Sequence, residues 1–71
     1  MNNWWVYIVE KRDKLYVGIT TDLPTRMLQP GVTKLLYHEG PMSKAEALKR
    51  ERTLKGWSRN KKLLLISGAS S

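Results

Sequence analysis

Residues 4–26 read WWVYIVEKRDKLYVGITTDLPTR, and how this stretch folds decides the arrangement of the rest. Two apolar runs, Trp4–Val9 and Leu15–Ile19, flank a polar turn, Lys11-Arg12-Asp13-Lys14. Short β-prone runs joined this closely predict a hairpin. Pairing Lys11 with Lys14 across a two-residue turn at Arg12-Asp13 sets Val9 opposite Tyr16, Tyr7 opposite Gly18 and Trp5 opposite Thr20. Directly opposed residues share a face, and so do residues two apart on one strand. Tyr7 and Tyr16 then become diagonal neighbours on one face, and Gly18 leaves a gap opposite Tyr7. The expected product is a small open site walled by two phenols. A slip of one residue would put the tyrosines on opposite faces.

The rest follows outward from this hairpin. Trp4–Val9 is apolar on both sides, which predicts a strand inside a sheet covered by helices. After the second run, Thr20-Thr21-Asp22 offers N-cap residues and Pro24 fits a first helical turn. A helix from about Leu23 to Gln29, stopped by Pro30-Gly31, would carry Arg26. Val32–Glu39 reads as a third strand ended by Gly40-Pro41. Ser43 and Glu46 form a capping box heading a helix that runs to about Lys55 and stops at Gly56. Ser58 can cap a last helix from Arg59 to about Ile66. The expected fold is a small α/β (α+β) domain: a mainly antiparallel three-stranded sheet flanked by helices, in the order β-β-α-β-α-α.

The 71 residues suit one domain with a small core, about residues 4–66, and a flexible tail at 67–71. The absence of cysteine removes disulfides and thiolate zinc sites and suits a reducing cytoplasm. No apolar run is long enough to span a bilayer, and Met1-Asn2-Asn3 lacks the positive start of a signal peptide. Thirteen basic against six acidic residues leave a charge of +7, which attracts polyanions, nucleic acid above all.

At this point the chain resembles a known family. Val6-Tyr7-Ile8 and Tyr16-Val17-Gly18, followed by Arg26 ten residues after the second tyrosine, look like the GIY-YIG endonuclease domain. The nearer likeness is its small single-domain branch of the UPF0213 type. The resemblance covers residues 4 to 66, and Val6 stands where the family name has glycine. It implies a divalent-metal-dependent DNA endonuclease linked to repair or recombination. Phosphodiester hydrolysis needs a deprotonated water, a neutralised phosphoryl group and a stabilised leaving oxygen. By resemblance, Tyr16 acts as base or water-orienter, Tyr7 positions the water or the phosphate, and Gly18 gives the site room. Arg26 holds the scissile phosphate through a two-pronged donor geometry.

Glu51 carries the sharpest local signal on the second helix. Ala47, Leu48 and Leu54 mark a buried stripe at helical spacing, and Glu51 falls within it. A carboxylate there is costly unless paired or bound to a metal. From the residues alone both readings stand: a core-edge glutamate paired with Arg50, Arg52 or Lys55, or a ligand. The resemblance implies the ligand, with Mg2+ or Mn2+ completing its shell from water and phosphate.

One departure bears on activity. Many members carry a histidine or tyrosine one helical turn after the arginine, where this chain has Pro30, which has no group to transfer a proton. His38, between Tyr37 and Glu39, is expected to be exposed, and Tyr37 to reach water with its hydroxyl. The remaining bases, Lys44, Lys49, Arg50, Arg52, Lys55, Arg59, Lys61 and Lys62, form a band expected to face phosphate without reading sequence. Lys49, Arg50, Arg59, Lys61 and Lys62 are the nucleic-acid contacts expected within it. Leu63, Leu64, Leu65 and Ile66 are expected to pack in the core, and Trp57 to plug the space between the last two helices. The expected activity is DNA endonuclease. The alternatives are a nucleic-acid-binding module that keeps the nuclease fold with little turnover, and a helix-turn-helix DNA-binding protein.

Overall fold

The structure is a computed structural model that describes residues 2–28 and 34–68. Its elements follow the expected order: β1 (Trp4–Lys11), β2 (Lys14–Thr20), α1 (Leu23–Met27), β3 (Lys34–Met42), α2 (Lys44–Lys55) and α3 (Arg59–Ser67). The three strands form one antiparallel sheet in the order β2-β1-β3, so the strand that is apolar on both sides lies at its centre.

The β1–β2 hairpin has the predicted register, from Trp5 opposite Thr20 to Lys11 opposite Lys14. Its turn is made by Arg12 and Asp13, with φ of 52° and 64°. Both lie in the left-handed region, which matches the twist of paired strands and is uncommon for side chains other than glycine, asparagine and aspartate.

The third strand departs from expectation at its far end. It does not stop at Gly40-Pro41 but runs through them to Met42, which pairs with Trp4. Two features of the site permit this. β3 is an edge strand, where a missing N–H costs no ladder bond on the open side. Gly40 takes φ of 135°, and a Cβ there would lie 2.7 Å from the Trp4 carbonyl oxygen, so only glycine fits. A second irregularity sits between Ile8 and Val9, which pair with Tyr37 and Leu35 and leave Leu36 as the extra residue of a bulge.

The main core cluster lies on one face of the sheet, and Val9, 4% exposed, is buried on the other. Val6, Ile8 and Val17 are buried with Ala47 and Leu54 of α2, and Trp57, Leu65 and Ile66 pack against them. Leu48 is 46% exposed, as it stands one residue beyond the inward stripe of α2, so the stripe is Ala47 and Leu54 without it. Leu63 and Leu64 are likewise exposed, and only Leu65 and Ile66 of that run pack inward. Helical geometry turns successive residues by about a third of a revolution, so four apolar neighbours cannot all face one way. The last helix includes Ser67 and is closed by Gly68 at φ 76°, so the tail begins later than residue 67. Pro30 and the expected start of the third strand at Val32 lie outside the described residues.

Candidate functional site

Alternation along the strands sorts the sheet into two faces. Val6, Ile8 and Val17 point at α2, so Tyr7, Tyr16 and Gly18 project from the other face. The two tyrosines therefore share a face, as the register requires. The gap opposite Tyr7 is not open, however. A Cβ built on Gly18 would lie 2.5 Å from the Tyr7 hydroxyl and 2.6 Å from Cζ, so the Tyr7 ring itself lies across Gly18. Tyr16 is 46% exposed. Among the described residues neither phenol hydroxyl has a hydrogen-bond partner, which leaves both available to a ligand.

Arg26 is presented by α1, a helix of five residues that needs its cap. Asp22 supplies it: its carboxylate accepts from the Thr25 backbone N–H at 3.3 Å and from the Thr25 hydroxyl at 2.6 Å. These bonds, the side-chain one foremost, hold the Asp22 carboxyl below its ordinary value. The Asp22 N–H in turn donates to the Thr20 hydroxyl at the end of β2, which ties the helix to the strand. The Arg26 side chain is half-buried, and its guanidinium has no ion-pair partner among the described residues.

Glu51 stands on the inward stripe of α2 with Ala47 and Leu54 and keeps 21% of its side chain exposed. Of its three possible partners, Lys55 is the one it meets, at 3.4 Å. Among the described residues no three His, Cys, Asp or Glu side chains gather at one point. Lys55 is itself more than half exposed, so the pair is open to solvent on the lysine side. The structure thus brings Tyr7, Tyr16 and Gly18 together on one face and sets Glu51 on the helix that covers the other.

The basic band divides into committed and uncommitted residues. Arg50 Nε lies 2.5 Å from Glu39 Oε1, and the Tyr37 hydroxyl donates to Glu39 Oε2 at 2.6 Å. Tyr37 therefore spends its hydroxyl on Glu39 rather than on water. Burial first, then the Glu39 carboxylate, raises the Tyr37 phenol above its ordinary value. The Arg50 guanidinium and the Lys61 ammonium lie 5.4 and 4.4 Å from the Trp57 ring centre. Arg59, at the head of α3, donates to the Asp13 carbonyl in the hairpin turn at 3.3 Å. A recognition helix would present its first residues outward, so this bond argues against a helix-turn-helix reader. Lys49 is exposed and Lys62 partly so.

Two further residues on the tyrosine face were not counted among the candidate site residues, although His38 is exposed as expected. Trp5 and His38 stand edge to face, with ring centres 5.6 Å apart, and His38 is the pairing partner of Tyr7. The alternation of β1 already put Trp5 beside Tyr7; only the register of β3, hidden by its two bulges, was needed to add His38.

The chain is 36% identical to a UPF0213 protein of Staphylococcus saprophyticus, covering 94% of this chain and 98% of that one. Others of Staphylococcus haemolyticus and Staphylococcus epidermidis are 35% and 34% identical, each covering 93% of this chain and 96% of theirs. The first of these matches extends over 80 residues, more than the 71 of the whole chain, so the relative carries residues that this chain lacks. No family model and no solved structure matches the chain. Identity at this level over nearly the whole of both sequences places the chain in a family: it belongs to UPF0213.

Proposed function

We propose that the chain is a magnesium- or manganese-dependent DNA endonuclease of GIY-YIG type, structure- or weakly sequence-selective, serving DNA repair or recombination in the cytoplasm. The observation that supports this reading is the hairpin register, which sets Tyr7 and Tyr16 on one face with both hydroxyls uncommitted. Tyr16, the more exposed, orients the attacking water or, as the phenolate, takes its proton and becomes the neutral phenol. Tyr7, fixed across Gly18, positions that water against the phosphate. Arg26 donates two parallel hydrogen bonds to the phosphoryl oxygens as charge builds on them. By the family resemblance Glu51 is the residue that would hold the cation, whose chemistry would be to neutralise phosphoryl charge. It stands on the helix over the opposite face from the tyrosines, so this role rests on the resemblance and not on their geometry.

A second reading is a nucleic-acid-binding module without turnover, and the Glu51–Lys55 pair favours it, since the carboxylate already has a cationic partner. Incubation with branched, single-stranded and duplex DNA and RNA, with magnesium or manganese, separates the two. Endonuclease activity gives metal-dependent products with the wild type and none with Glu51→Ala. Binding without products on every substrate leaves the module.

A further inference from the structure

The sheet face that carries the two tyrosines holds more than they need for hydrolysis. By alternation and pairing it bears Trp5, Tyr7, Val9 and Lys11 on β1, Lys14, Tyr16, Gly18 and Thr20 on β2, and His38 on β3. The two acidic side chains within the strands, Glu10 and Glu39, project from the other face: Glu10 is opposite Leu15, and Glu39 is opposite Val6. Every formal charge on the tyrosine side of the strands is thus positive. The aromatic rings run across the sheet, Tyr16 on the edge strand diagonal to Tyr7 at the centre and His38 on the far strand directly opposite Tyr7, with Trp5 beside His38. The cations, Lys11 and Lys14, sit together at the Tyr16 end.

Glycine is what lets these rings lie down. A Cβ on Gly18 would meet the end of the Tyr7 ring, and one on Gly40 would lie 3.2 Å from Trp5 Cε3. Two rings of the central strand are thus laid over glycines of the strands on either side. The rings are only half covered, and Tyr16 and His38 are exposed. Neighbouring strands are about 4.8 Å apart and residues two apart on a strand about 7 Å. That spacing suits successive unpaired bases, each stacking on a ring, with the backbone drawn to the lysines. A duplex hides the faces of its bases and has no use for such a surface.

We infer that this face is a stacking platform for unpaired nucleotides, with Trp5 and His38 as base-stacking residues and Lys11 and Lys14 as phosphate contacts. The inference rests on the nuclease reading for its partner and makes the substrate class a single-stranded segment, alone or at a branch, led across Tyr7 and Tyr16.

The test is fluorescence anisotropy in EDTA, where nothing is cleaved. It compares labelled oligothymidylate and oligouridylate with a duplex of equal length. The platform requires tighter binding of at least one single strand than of the duplex. Trp5→Leu and His38→Ala then weaken that binding by about tenfold each and leave the duplex unchanged, whereas Trp5→Phe keeps most of it. His38 is exposed, so its variant decides the matter if Trp5→Leu melts early. Equal or tighter binding of the duplex, or folded variants that hold the single strand as the wild type does, overturns the platform. Magnesium-dependent cutting of duplex alone also overturns it while sparing the nuclease. Single-strand preference without cutting on any substrate spares the platform and removes the nuclease.

Discussion

At the scale of single residues, packing and chemistry make separable forecasts. Gly18→Ala forces the Tyr7 ring off its seat, because the new methyl would overlap the hydroxyl and Cζ. A loss of about 1–3 kcal/mol is expected in chemical denaturation, of the size seen when a packed site is overfilled. Adding Tyr7→Ala removes the clash, so the double variant should lose less than the two changes summed. Glu51 gives the opposite kind of forecast. Its partner is an exposed lysine at 3.4 Å, and such pairs contribute little, so Glu51→Gln should leave the melting temperature of the metal-free protein unchanged or slightly raised. Magnesium should then raise the melting temperature of the wild type and not of the variant, with an oligonucleotide bound to strengthen the effect. An equal response in both proteins means that Glu51 holds no metal.

At the scale of elements, one polar contact fastens β3 to α2. Glu39 accepts from Arg50 and from Tyr37, and Arg50 also lies against Trp57 at the start of the last helix. Arg50→Ala leaves a partly buried carboxylate with only the phenol, which should cost about 1–3 kcal/mol in denaturant unfolding. The same contact gives a pH signature. The Tyr37 phenol is raised in the folded state, so its contribution is complete below the ordinary tyrosine value of 10.0 and fades as pH rises through the higher folded value. Stability should therefore fall at alkaline pH in the wild type, and Tyr37→Phe should show less of this fall. A Tyr37→Phe protein with the same alkaline slope would mean that the phenol is not linked to folding.

The hairpin and both long helices were legible in the sequence because their signals are local. Lys11-Arg12-Asp13-Lys14 suggests a two-residue turn, and the register supposed for it is the one formed, while Ser43 and Ser58 stand where their helices begin. The path of β3 was not legible. Gly40-Pro41 ordinarily ends a strand, and only its place on the sheet edge, a property of the assembled sheet, lets the chain run on. The pairing of Glu39 with Arg50 and of Trp5 with His38 was hidden for the same reason. Residues far apart in the chain meet according to a register that two bulges shift. The shared face of Tyr7 and Tyr16 was legible in the hairpin register; that α2, with Glu51, covers the opposite face was not. Which side of the sheet α2 covers follows from where Val6, Ile8 and Val17 find partners.

At the scale of the whole molecule, a charge of +7 on 71 residues makes the salt response the broadest test of a nucleic-acid partner. Log affinity should fall steeply and linearly with log salt, as displaced counterions dominate the free energy. Charge reversal at Lys49 and Lys62 should flatten that slope without altering any sequence preference. Salt-independent binding, or none at low salt, would remove the nucleic-acid partner altogether. Among the described residues no helix is long and apolar enough to cross a membrane. The most direct measurement of phosphodiester hydrolysis at the tyrosine face is the single-turnover cleavage rate of Tyr16→Phe beside the wild type, with DNA affinity followed in parallel. If Tyr16 handles the attacking water, the rate falls by about a hundredfold or more while affinity is unchanged. A Tyr16→Phe protein that cuts as fast as the wild type would contradict it.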